Sequence, residues 1–421
     1  MKTHLGLARH EGNENLFEAT EMGIISCLWD VPLHIHTEGL RGTGKTTIMR
    51  AVRSVLPPIE RIKGCLYNCD PQQPHCPDHK HLTSDEIHFI GSEIVPRPFL
   101  EISHSAKIGS VAGSIDLAKI TNSANPTAAI LPGIIPQAHR GIIFIDEINR
   151  LADTAPEITD VLLDVMGTKP GRVQIEETGL AVVEIPVQVS IWAASNPDEE
   201  PGPLQEIRRQ LSDRFDLVVD MGRTKNEDAV AAILAYSEQS RRKKASRYQT
   251  EDELGRETMK LQKYYTDLAQ RYEQLEMPDY LRNYIARTYI KHNLESLRAI
   301  EALQHAAILN CTIREGDQVL ISDILKVAPL ALQHRVDYQT LSKIIQGSDL
   351  QSGKANDYNS MSNYGQNSEN NNSLLGPLKN LLSGKNNAQE APKEINASPS
   401  SKAKRIPEVQ GEDLITTEQK F

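Results

Sequence analysis

The sequence predicts an α/β protein: a parallel sheet flanked by helices and carrying a phosphate-binding loop, followed by a helical region and a polar tail. Two observations set the class. GLRGTGKTT at residues 39–47 matches G-x-x-x-x-G-K-[ST] and lies between an apolar run (Leu33, Ile35) and the amphipathic stretch TTIMRAVRSVL, a strand-to-helix turn. Further on, GIIFIDEINRL at 141–151 opens with Ile142, Ile143, Phe144 and Ile145, a run suited to a strand buried on both faces, and continues into Asp146 and Glu147.

Composition narrows the function. A chain of 421 residues is long enough for two or three domains. Its 46 Lys+Arg against 56 Asp+Glu give a net charge of −10, which disfavours sequence-independent nucleic-acid binding, since that rests on phosphate neutralisation. No apolar run approaches the ~18–20 residues that cross a bilayer, and the start MKTHLGLARHEG lacks the apolar core of a signal peptide. A cytoplasmic protein is expected. Its five cysteines (Cys27, Cys65, Cys69, Cys76, Cys311) then read as thiols or metal ligands.

Taken in order, NLFEATEMGIISCLW within residues 1–30 reads as a helix, with Leu16, Met22, Ile25 and Leu28 at helical spacing and Cys27 a small buried apolar residue. In the phosphate loop the glycines let backbone N–H groups close around a phosphate, Lys45 neutralises β/γ-oxygens and the Thr46 hydroxyl can ligate Mg²⁺. Gly39, Gly42, Thr43, Gly44, Lys45, Thr46 and Thr47 are the candidate nucleotide contacts.

IKGCLYNCDPQQPHCPDHKHL at 62–82 is dense in turn formers and reads as a loop with no apolar core of its own. Cys65, Cys69 and Cys76 follow C-x3-C-x6-C, and His79 completes C-x2-H, with His75 and His81 as alternative ligands. Three thiolates and an imidazole suit tetrahedral zinc; an iron–sulfur cluster is the rival, and unliganded thiols are the third reading. Residues 98–138 have apolar anchors at Phe99, Ile102 and Ile108 but too much Gly, Ser, Asn and Pro for one helix, and read as an inserted functional element.

In the next strand Asp146 would hold Mg²⁺ through its water shell, and Glu147 would orient or deprotonate the attacking water. EITDVLLDVM (157–166) reads as an amphipathic helix. VQIEE and AVVEIPV flank Thr178-Gly179 as a hairpin, and VSIWAASNP is a buried strand whose following Asn196 can reach a γ-phosphate or the water. LQEIRRQLSDRFDLVVDM (204–221) is a short helix, a polar break holding Arg214, and a strand.

This order of motifs, including VAGSIDL, AHRGIIFIDEINRL, AASNP and LSDRFDL, resembles the AAA+ ATPase subunit I of magnesium chelatase over about residues 10–340, and more loosely the MoxR-type ATPases and MCM helicases. The resemblance implies a five-stranded AAA+ core with β-hairpin and helix-2 inserts over residues 1–222 and an α-helical lid over 223–344, while the polar composition of residues 345–421 reads as a disordered tail. By motif, Lys45 and Thr46 resemble the Walker A pair, Asp146 and Glu147 the Walker B pair, and Asn196 sensor 1. Arg214 in LSDRF resembles the arginine finger that reaches a neighbouring subunit's nucleotide, and Arg298 in ESLRAIEAL the sensor-2 arginine at a lid helix start. SDILKVAPLALQHRVDY (322–338) resembles the family's last helix.

The resemblance implies ATP and Mg²⁺ as cofactors and a hexameric homo-oligomer ring. It also implies a von Willebrand A-type partner subunit, a porphyrin-binding subunit, and Mg²⁺ insertion into protoporphyrin. A MoxR-like chaperone maturing a metalloprotein and a nucleotide-gated assembly scaffold are the alternatives. Two stretches depart from the pattern: the Cys-rich loop stands where chelatase subunits carry an acidic loop, and the tail has no counterpart. The tail is rich in Asn, Ser, Gln, Gly and Lys, with LLGPLKNLL (374–382) and EDLITTEQKF as candidate docking segments.

Overall fold

The structure is a computed structural model that describes residues 7–115, 130–175, 182–243 and 251–346. A parallel sheet organises it. In chain order the strands are β1 (Ile35–Gly39), β2 (Ile59–Ile62), β3 (Ser92–Val95), β4 (Phe99–Ile102), β5 (Gly113–Ile115), β6 (Ile130–Pro132), β7 (Gly141–Asp146), β8 (Gly171–Ile175), β9 (Val183–Val187), β10 (Val189–Ser195) and β11 (Leu217–Met221). The core sheet runs β11-β1-β10-β7-β4 with every neighbouring pair parallel. The pairs β2/β3, β5/β6 and β8/β9 are separate antiparallel ribbons.

Strand alternation explains how one sheet serves two cores. Successive side chains point to opposite faces. Ile142 and Phe144 of β7, with Trp192 and Ala194 of β10, join a cluster with the helix Glu14–Leu28. Ile143 and Ile145, with Ile191 and Ala193, join a second cluster formed with the helices Ile148–Thr154 and Pro156–Val165 and the β8/β9 ribbon. All of these sheet residues are buried, and each large one contributes about 1.5–3 kcal/mol of apolar transfer. The helix Glu14–Leu28 follows the predicted face, with Leu16, Met22 and Ile25 fully buried and Cys27 beside them.

Two expectations are corrected here. Residues 98–138 are not wholly an insert, because Phe99–Ile102 pairs with β7 as the edge strand of the core sheet. The later part of this stretch, with the β5/β6 ribbon, stands outside that sheet, and residues 116–129, with the end of VAGSIDL, lie outside the described residues. The second concerns 322–338, which is not one helix. It is helical over Ile321–Leu332; Asp337 then accepts hydrogen bonds from the N–H groups of Gln339 and Thr340 and caps a further helix, Tyr338–Ile345. The Thr178-Gly179 turn and the tail with LLGPLKNLL also lie outside the described residues.

The helical region comprises Glu227–Lys243, Glu251–Gln274, Asp279–Lys291, Leu297–Ile313, Ile321–Leu332 and Tyr338–Ile345. From Glu251–Gln274 onward its apolar faces continue the first cluster. Polar contacts fix its seat on the sheet side: Arg335 donates to the carbonyls of Asp213 and Phe215 at 2.7 and 2.8 Å, and Trp29 Nε1 donates to Ala269 O at 2.6 Å.

Candidate functional site

The site forms where β1, β10 and β7 end side by side, the edge at which ligand chemistry gathers in parallel α/β sheets. From β1 the chain passes through residues 40–44 into the helix Lys45–Ala51. Gly44 makes that entry at φ 96°, a left-handed conformation that a side chain would strain. A cavity of ≈ 440 Å³ is lined by residues 41–47, by Asp146 and Glu147 at the end of β7, and by Ser195 and Asn196 at the end of β10. Motifs remote in sequence thus meet in one place.

Lys45 is buried, and its ammonium donates to the carbonyls of Gly39 and Leu40 and, at 2.8 Å, to Asn196 Oδ1. Burial pushes its pKa below the ordinary lysine value while Asp146, Glu199 and Asp198 pull it back up. The Thr46 hydroxyl donates to Asp146 Oδ1 at 3.1 Å. A hydroxyl and a carboxylate at this spacing are the hard oxygen donors that Mg²⁺ takes, so the residues fit that ion. Arg50 reaches Asp146 Oδ2 at 3.6 Å while forking onto Glu101 of β4.

Glu147 leaves β7 at φ 54°, ψ 49°, an uncommon conformation for a non-glycine residue. Its carboxylate ion-pairs with Arg150 at 3.2 Å one helical turn on. Asn149 donates to Gly202 O at 3.1 Å and to Asn196 O at 3.5 Å, tying the start of this helix to the segment after β10. Ser195 faces the cavity, and its hydroxyl lies 2.9 Å from His36 Nε2. Burial pushes His36 down to about 3, so the ring is neutral. Ser195, Asn149 and Arg150 are additions to the sequence-derived set; for Arg150 the i, i+3 spacing from Glu147 was a readable signal.

Arg214 and Arg298 do not line this cavity. Arg214 ends the helix Arg209–Arg214, and Arg298 lies at the start of Leu297–Ile313, whose Ser296 cap accepts from Arg298 N–H at 3.2 Å. Both guanidinium groups donate to Gly167 O, at 3.4 and 2.8 Å. Burial, reinforced by Arg298, lowers the pKa of Arg214 below the ordinary arginine value.

Away from the cavity, the Sγ atoms of Cys65, Cys69 and Cys76 and a ring nitrogen of His79 lie within 4.8 Å of one another. His79, not His81, completes the group; His75 lies beside it, with Nδ1 3.3 Å from Cys69 Sγ, and stacks on His139 with ring centroids 3.7 Å apart. The loop is not coreless as the sequence suggests, because Cys65, Tyr67, Cys69 and Cys76 are buried in the second cluster.

Comparison with known proteins shows what this chain is similar to. The family model described as magnesium chelatase, subunit ChlI, matches residues 33–229, and that of the AAA lid domain matches residues 282–351. The magnesium-chelatase 38 kDa subunit of Acidiphilium rubrum is 29% identical over 322 residues, covering 75% of this chain and 87% of that protein. The chloroplastic magnesium-chelatase subunit ChlI-2 of Arabidopsis thaliana is 27% identical over 313 residues, covering 73% and 70%. A cryo-EM-based structure of the complex between subunits BchI and BchD of magnesium chelatase aligns with TM-score 0.41 and 22% identity, over 81% of this chain and 98% of the other. The resemblance to magnesium chelatase subunit I is borne out, and the fold is an AAA+ core with an AAA lid. Among the described residues no helix is long and apolar enough to cross a membrane.

Proposed function

We propose that this chain, whose residues 33–229 match the magnesium chelatase subunit ChlI family model and whose residues 282–351 match the AAA lid model, is a Mg²⁺-dependent ATP hydrolase that works as a cytoplasmic ring and remodels a partner. The observation that carries this reading is the meeting of Lys45, Thr46, Asp146, Glu147 and Asn196 around one cavity. Lys45 binds the β- and γ-phosphate oxygens, exchanging the carbonyls of Gly39 and Leu40 for them. Thr46 and Asp146 would hold Mg²⁺, which would supply neutralisation of phosphate charge. Glu147 accepts a proton from the attacking water, and Asn196, already on Lys45 Nζ, orients that water or the γ-phosphate. Arg214 and Arg298, set apart from the cavity of their own chain, complete the site of the next subunit, where they neutralise charge developing in the transition state.

Relatives named as magnesium-chelatase subunits favour chelation as the coupled outcome; if the resemblance extends to substrate, that outcome is Mg²⁺ insertion into protoporphyrin, with a von Willebrand A-type subunit and a porphyrin-binding subunit as partners. The Cys-rich loop, a departure from the chelatase pattern, favours a second reading in which the same motor matures a metalloprotein as MoxR-like ATPases do. A metal held by Cys65, Cys69, Cys76 and His79 lies outside the hydrolytic chemistry. Phosphate release from ATP, measured with and without Mg²⁺ in wild type and Lys45→Ala, tests the reading. Mg²⁺-dependent turnover that Lys45→Ala abolishes supports it, and equal turnover in the two proteins refutes it.

A further inference from the structure

We propose that Cys65, Cys69, Cys76 and His79 hold a single tetrahedral Zn²⁺ that pins the 62–82 loop against the base of the strand carrying Asp146. Donor spacing separates one ion from a cluster. Ligands around one zinc, with Zn–S ~2.3 Å, stand roughly 3.8 Å apart along the tetrahedron's edges. Iron–sulfur clusters spread their ligands over two or more irons, so ligands on different irons stand farther apart. Here four donors lie within 4.8 Å of one another, and Cys76 Sγ is 3.0 Å from His79 Nδ1.

The surroundings are those of a closed structural centre. All three cysteines are buried, with Cys69 and Cys76 at 0% exposure. The Cys69 sulfur accepts N–H groups from His75 and Cys76 at 3.4 and 3.3 Å, outer contacts of the kind that orient a metal thiolate. Ligands come in two turns, one carrying Cys65 and Cys69 and the other Cys76 and His79, where His79 N–H bonds Cys76 O at 3.2 Å. Neither turn lies in a helix or strand that would hold the donors together unaided.

What the loop grips gives the centre its role. Asn68 Nδ2 donates to Gln137 O at 2.6 Å, His75 stacks on His139, and Asp70 ion-pairs with Arg140 at 3.2 Å. Gly141 then begins β7. The cluster therefore braces the entry to β7, while Asp146 ends that strand roughly 17 Å from Gly141 at ~3.3 Å per residue. The ion acts on the fold and takes no part in hydrolysis.

The test uses the full chain, purified without chelator under reducing conditions. Metal analysis is expected to give about one zinc per chain in a colourless protein, and uptake of Co²⁺ in its place is expected to show the absorption of a tetrahedral thiolate site. Cys69→Ser is expected to lose the zinc. Should that variant fail to fold, stripping zinc from wild type with a chelator provides the second measurement: Tm should fall, the Cys65, Cys69 and Cys76 thiols should become reactive, and added zinc should reverse both. A protein that neither carries nor takes up zinc or cobalt overturns the proposal. So does a brown protein containing iron and sulfide, a disulfide among the three cysteines, or zinc removal that leaves Tm and thiol reactivity unchanged.

Discussion

The guanidinium groups of Arg214 and Arg298, carried by different helices, converge on one acceptor, the carbonyl oxygen of Gly167. Two cations at one neutral acceptor repel each other, and an anion brought to them from outside relieves that repulsion. A nucleotide phosphate on a neighbouring subunit is such an anion. Arg298→Ala is accordingly expected to leave the Kd for ATP within about threefold and to lower kcat by ~10²-fold or more. Titration with a fluorescent ATP analogue beside steady-state phosphate release checks the split; a large loss of binding with unchanged kcat would place Arg298 on the nucleotide of its own chain.

Asn196 joins the two halves of the cavity through its 2.8 Å bond from Lys45. Asn196→Ala removes one preorganised hydrogen bond and leaves the phosphate loop in place. A fall in kcat of ~10- to 100-fold with ATP binding near wild type is expected. Retained wild-type turnover would remove Asn196 from the chemistry.

Stability is expected to fall as the solution is acidified from neutral. Burial pushes His36 down to about 3, and His34 and His305 down to about 4, from the ordinary 6.5. Around His34, Lys169, Arg298 and Arg214 add to the depression, and Asp216 opposes it. Below pH 6.5 the unfolded chain takes up protons that the folded chain refuses. Each ring then removes about 1.4 kcal/mol of stability per pH unit until its folded value is reached. Tm measured from pH 7.5 to 4.5 should drop with a slope that His305→Gln makes shallower.

Gly23 lies inside the helix Glu14–Leu28, where alanine normally gains about 1 kcal/mol. A Cβ at that position would stand 2.4 Å from Cζ2 of Trp192, which is fully buried between the helix and the sheet. Overpacking of this kind costs ~1–3 kcal/mol. Gly23→Ala should therefore lower the denaturant midpoint, and a raised midpoint would show that Trp192 has room to move.

The phosphate loop and the acidic pair at the end of β7 were legible in sequence because each rests on a short pattern fixed by local backbone geometry, and Asn196 was legible from its place after a buried strand in the order of motifs. The edge strand β4 was not. Phe99–Ile102 is four residues set among Gly, Ser and Pro, and its identity comes from pairing with Ile142–Ile145 across the fold. The donor types at the Cys-rich loop could be read, but only the turns themselves select His79 over His75 and His81. The meeting of Arg214 and Arg298 at Gly167 depends on three segments that no local spacing relates. Ser195 was hidden for a similar reason: its only signal, the 2.9 Å contact with His36, crosses from β10 to β1.

Hydrolysis at a site shared between subunits is tested most directly by mixing two inactive proteins. Arg214→Ala keeps Glu147 but lacks the arginine, and Glu147→Gln keeps the arginine but lacks the base. Each alone should bind ATP and turn over ~10³-fold or more slowly than wild type. Mixed in equal amounts, they form interfaces that unite an intact Glu147 with an intact Arg214, and phosphate release should rise well above the sum of the two. A mixture no more active than its separate components, or an Arg214→Ala protein that turns over like wild type, would contradict a site completed in trans.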